Sequence, residues 1–157
     1  MVTNLKNSIM SKEINKEQLE RITEICQDGF LGYQHAASHL ENGELKTIFN
    51  RLAQQRKLFA EELKKDARTL GAHLDDTEST RGYFHRAWID VKDFFSTSEN
   101  SAVIVASLTG EEKAKEVYQD VLKDDTLPAF IKERLETQLK FINTAIMQLQ
   151  ELNKQVA

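Results

Sequence analysis

The sequence predicts an all-α protein, a bundle of four long helices. Three observations carry this. Apolar residues recur at alternating spacings of three and four over four stretches, with no strand-like alternation between them. One proline and six glycines leave few breakers. The four stretches are matched, each about 26 to 28 residues or roughly 40 Å long, and each has one apolar stripe to bury against the others.

Taken in order, residues 1–14 lack a strong period and read as a flexible tail ahead of a single domain, 15–157. Asn15 and Gln18 form a capping-box pattern. Leu19, Ile22, Cys26, Gly29, Tyr33, Ala36 and Leu40 then line one helix face, and Gly43 is a natural stop. The second helix carries Leu45, Phe49, Leu52, Arg56, Phe59, Leu63, Ala67 and Leu70, and ends at Gly71. Ser96 and Glu99 form another capping box before a third helix with Ile104, Leu108, Glu111, Tyr118 and Leu122 on one face. Pro128 suits the first turn of the fourth helix, which presents Ile131, Leu135, Gln138, Ile142, Ala145, Leu149 and Leu152.

The links set the topology. "ENG" and "DDTLP" are short enough to make hairpins of the first and last helix pairs. Residues 71–97 are far more than an antiparallel neighbour needs, and can cross the whole bundle. One long crossover predicts the up-down-down-up, ferritin-like arrangement. Within the crossover, Tyr83, Trp88, Val91 and Phe95 fall at helical spacing, predicting a short helix with one aromatic face. That face either covers the bundle, burying Trp88, or meets a second copy in a homodimer.

Composition excludes several roles. A net charge of −4 leaves no basic footprint for nucleic acid. No apolar run approaches about 20 residues, so no membrane span is expected. The first residues lack the apolar core of a signal peptide, and the expected compartment is the cytoplasm. The lone Cys26 rules out an intramolecular disulfide. On its apolar seam it reads as buried and inert.

"DGFLGYQHAA" (28–37), "LAQQRKLFAEEL" (52–63), "RAWIDVKDFF" (86–95) and "TGEEKAKEVY" (109–118) resemble a bacterial family of unknown function, over about residues 19–152. The resemblance implies a ferritin-like bundle and no established activity. It also implies an acidic residue at position 38 and a histidine at 146, where this chain has Ser38 and Ile146. Both departures remove potential metal ligands.

A di-iron site needs Glu-x-x-His pairs. The residues three before His35, His39, His73 and His85 are Gly32, Ala36, Leu70 and Gly82, none acidic, so no enzyme of that type and no cofactor is expected. His35 and His39 lie one turn apart. They could hold a divalent metal or simply form a solvated face. Gly29 and Gly32 each cost about 1 kcal/mol against alanine in a helix, which predicts the close approach of a neighbour or a ligand cavity. Arg56, Glu111 and Gln138 interrupt apolar stripes on the second, third and fourth helices. They predict a metal-free buried polar layer in which Arg56 pairs with Glu111, Gln138 joins, and Tyr33 or Tyr118 closes the cluster. Otherwise Arg56 and Glu111 extend outward and never meet. The expected function is a non-catalytic bundle acting through protein contacts as a homo-oligomer. The alternative is a divergent ferritin-like metal-binding or redox protein.

Overall fold

A computed structural model describes residues 2–74 and 100–156. It is all-helical over these residues: α1 spans Val2–His39, α2 Gly43–Thr69, α3 Asn100–Leu122 and α4 Ala129–Val156. Tyr83, Trp88, Val91 and Phe95 of the expected aromatic face, and the Ser96–Glu99 capping box, lie outside the described residues.

α1 differs most from expectation. It has 38 residues and runs unbroken through Asn15, so the tail is helical and no capping box forms there. No proline or glycine precedes Gly29. Once a helix exists, each further turn adds hydrogen bonds at little nucleation cost. Thr3–Met10 are all exposed, including Leu5 and Ile9, so this part of the helix makes no core. That is why it lacks an apolar period.

The other ends follow local chemistry. The Asn42 side chain accepts hydrogen bonds from the Glu44 and Leu45 amides, each at 3.0 Å, and opens α2. At its far end Gly71 takes φ +76°. The Ala72 amide then donates to the Ala67 carbonyl and the Gly71 amide to Arg68, both at 2.9 Å, the pattern of a Schellman cap. Between α3 and α4, Asp124 Oδ1 accepts from the Thr126 amide at 2.9 Å, which turns the chain. The Pro128 carbonyl then receives the first helical bonds of α4.

Neighbouring helices run antiparallel. Contacts climb α1 as they descend α3: Arg21 with Asp120, Cys26 with Tyr118, Tyr33 with Glu111. Between α2 and α4 they are Arg51 with Gln148, Glu62 with Gln138 and Asp66 with Arg134. α1 packs closely on α2, with Tyr33 edge-on to Phe49 at 5.5 Å, and α3 on α4. α2 and α4 stand farther apart and leave a surface groove of about 520 Å³, flanked by the half-exposed Leu58 and Phe141. No helix among the described residues is long and apolar enough to cross a membrane.

The core is divided. One apolar cluster holds Leu19, Ile22, Leu63, Val121, Ile131 and Leu135. The other holds Ala36, Phe49, Leu52, Ile104, Ala145 and Leu149. On α1 the boundary falls between Cys26 and Tyr33, on α2 between Ala53 and Phe59, and on α3 between Ala106 and Ala114. Gly29, Arg56 and Glu111 occupy those gaps.

Candidate functional site

The polar centre begins with Arg56, which its place in the α2 stripe points inward. Among the described residues it is the largest fully buried side chain, at 2% exposure. Its stem needs room, and α1 provides it: a Cβ at Gly29 would lie 3.2 Å from Arg56 Cγ. The helix penalty at Gly29 therefore admits a buried arginine from the next helix, not a ligand. Gly32 is also buried.

Arg56 Nη2 donates to Glu111 Oε1 at 2.5 Å, and Glu111 is also 2% exposed. The Tyr33 hydroxyl donates to the same carboxylate oxygen. The Arg56 guanidinium stands 5.3 Å from the Phe59 ring centroid, a cation–π distance. Burial alone favours the neutral guanidine. The Glu111 carboxylate at its side outweighs this, and the Arg56 pKa lies above its ordinary value. Burial and the Glu111 charge push the Tyr33 hydroxyl well above the usual tyrosine range. Arg56 Nη1 and Glu111 Oε2 have no partner among the described residues, so the pair is a one-point contact.

Gln138 belongs to a second network. The Tyr118 hydroxyl donates to Gln138 Oε1 at 2.6 Å, and Gln138 Nε2 donates to Glu62 Oε2 at 2.9 Å and to the Phe59 carbonyl at 3.4 Å. The Tyr118 proton is thus committed to an amide oxygen that can only accept. Cys26 Sγ, 3.1 Å from the Tyr118 oxygen, must then be the donor. All bonds in the series Cys26, Tyr118, Gln138, Glu62 point the same way, from the core toward the α2–α4 groove, which Glu62 and Gln138 line. Bonds aligned in this way polarise one another. Burial pushes the Cys26 thiol up to about 12 and raises Tyr118 well above the usual range. The thiol stays protonated and inert near neutral pH.

The structure therefore brings Arg56, Glu111 and Tyr33 together, and sets Gln138 and Tyr118 apart from them. Glu111 and Tyr118 are two turns apart on α3, about 10 Å along the axis. Gln138 sits at the level of Tyr118, inside one apolar cluster and not at the boundary. Phe59 links the two networks, through its ring to Arg56 and its carbonyl to Gln138. Sequence reasoning missed Glu62, which looks like one more charge in a solvated run, and the Cys26 bond to Tyr118. Nothing in a single sequence signals either, because both depend on partners from another helix.

His35 and His39 lie on the outer face of α1 near its end, with ring centroids 4.5 Å apart. Among the described residues no group of three or more His, Cys, Asp or Glu could hold a metal ion. His85 lies outside them. Ser38 at the end of α1 donates to the His35 carbonyl, and Ile146 is buried in the core.

No curated protein matches the chain. A family described as a domain of unknown function, DUF2383, matches residues 15–124. The matched span includes the Arg56–Glu111 pair, Tyr33, Gly29 and the Cys26–Tyr118 contact, and stops short of Gln138. With well over half its length matched, the chain belongs to the DUF2383 family.

Proposed function

We propose that this protein is a cytoplasmic, ferritin-like bundle of up-down-down-up topology whose centre is closed by an ion pair, and that it acts without catalysis, through protein contacts, as a homo-oligomer. The topology is supported by the contact series. α2 and α3 each run opposite to α1, so they run parallel to one another, which is the helix order an up-down-down-up bundle requires.

The observation that carries the reading is Arg56 itself. A ferritin-like centre gathers carboxylates around cations. Here the one fully buried carboxylate on α3, Glu111, is neutralised by a guanidinium from α2 and bonded by a tyrosine from α1. The side chain that supplies the positive charge also fills the space beside Gly29. Such a pair adds little net stability, but it does specify which helices meet and at what level. The half-exposed Leu58 and Phe141 beside the α2–α4 groove offer apolar surface for a protein contact.

Equilibrium dialysis against iron(II) and manganese(II), with sedimentation velocity on the same protein, tests both parts. The expected results are no stoichiometric ion dependent on Glu111 and a species heavier than a monomer. An ion that binds the native chain and is lost in Glu111→Gln would overturn the ion-pair reading. A clean monomer at high micromolar concentration would overturn the assembly.

A further inference from the structure

The outer face of α1 carries a second cluster that the bundle's centre does not use. His35 and His39 are four residues apart, so one helical turn stacks them on one face. Their ring centroids are 4.5 Å apart, and both are half-buried with access from the surface. This is the spacing at which two imidazoles of one helix share a metal ion.

The tautomer is set as well. His39 Nδ1 lies 2.9 Å from the His35 carbonyl oxygen. A carbonyl only accepts, so Nδ1 carries the proton. Ser38 Oγ is 3.1 Å from the same nitrogen, but its own proton goes to that carbonyl at 2.6 Å, so it too faces His39 as an acceptor. The neutral His39 ring therefore keeps its lone pair on Nε2. A backbone carbonyl bound to the far nitrogen is how metal-ligating histidines are usually oriented. Helix position adds to this. α1 ends at His39, where unpaired carbonyls concentrate partial negative charge and favour a cation.

We propose that His35 and His39 form a surface chelate for one divalent cation of the zinc, copper and nickel class. Imidazole nitrogen suits these ions, whereas magnesium and calcium prefer oxygen. The site is separate from the Arg56–Glu111 centre, and its two ligands leave the ion open to water or another exchangeable ligand.

Calorimetric titration of the full chain with zinc chloride, with magnesium chloride as the comparison, tests this. The expected result is one zinc per chain, no magnesium uptake, and affinity at least about tenfold weaker in His35→Ala and in His39→Ala, since each variant leaves a single ligand. Both residues are partly exposed, and circular dichroism checks that each variant stays folded. Undiminished zinc affinity in either variant would overturn the chelate, as would absence of zinc uptake by the native chain. Nitrogen-15 spectra of the imidazoles give an independent readout. His39 is expected as the Nδ1-protonated tautomer, with Nε2 shifting on zinc addition. An Nε2-protonated ring would overturn the orientation. A failure of any of these arms leaves the ion-pair reading of the centre standing, because that reading is tested through Glu111.

Discussion

Glu111 shows what one residue decides in this core. It accepts from both Arg56 and Tyr33 on a single oxygen, in a place water does not reach. Glu111→Gln would leave the Arg56 guanidinium buried and uncompensated, so a loss of about 3–5 kcal/mol is expected in urea unfolding. A loss below about 0.5 kcal/mol, the size of an ordinary surface change, would rule out the pair as a buried interaction. Gly29 gives a subtler case. Gly29→Ala improves helix propensity by about 1 kcal/mol but presses on an arginine stem held at its far end by Glu111. Net destabilisation is expected, by about 1 kcal/mol or more. In an Arg56→Ala background the same change should become neutral or stabilising. Additive effects across that cycle would show that the two residues do not compete for space.

At the scale of elements, the helix ends rest on local chemistry. Asn42 meets two otherwise unpaired amides of α2, so Asn42→Ala should cost about 1 kcal/mol, read from the midpoint of chemical denaturation. Asn42→Asp should keep most of the stability. Element boundaries were legible in the sequence where a residue has one dominant local role, as at Gly71 with its positive φ. They were not legible at Asn15. Its capping pattern is real in the sequence, yet the helix passes through and buries the residue, because nothing upstream of it breaks a helix. A cap lowers the free energy of starting a helix at one place and does not forbid starting it earlier.

The molecule as a whole couples its buried groups to pH. Cys26, Tyr33 and Tyr118 all have folded-state pKa values raised above their unfolded ones, chiefly by burial. For such groups the neutral form is favoured by folding. Their contribution is complete below the unfolded pKa and is lost as pH rises through the interval up to the folded one. For Cys26 that window runs from 9.0 to about 12. Stability is therefore expected to be flat near neutral pH from these groups and to fall above about pH 9, by up to about 1.4 kcal/mol per pH unit for each group. Urea midpoints measured from pH 7 to 11 check this, and a Cys26→Ser variant should show a shallower decline at its start. A midpoint that rises over that range would contradict it.

The divided core makes a second whole-molecule prediction. Replacing Arg56, Glu111 and Tyr33 together by Met, Leu and Phe would join the two apolar clusters. This triple change should cost far less than Glu111→Gln alone, and the result could be as stable as the native chain. What it should lose is the specification of level between α1, α2 and α3. Broadened side-chain NMR signals in a stable protein would be the expected sign, and sharp native-like spectra would show that apolar packing sets the register unaided.

The sequence by itself determined the helical class, the number of long helices and the stripes that face inward, because period and breakers are local properties of a chain. It also placed Arg56 and Glu111 on inward stripes, since a charge amid apolar neighbours at helical spacing is visible without coordinates. Only the tertiary structure decided which polar groups meet. Gln138 lies on the same kind of stripe as Arg56, yet it bonds Tyr118 and Glu62, because its level along α4 follows from how the α3–α4 hairpin closes. Glu62 and Cys26 acquire their partners in the same way, across helix interfaces whose relative heights no single stripe records. Periodicity tells which side of a helix is buried. Height is fixed by loops and by side chains interlocking between helices, and that information exists only once the helices are packed.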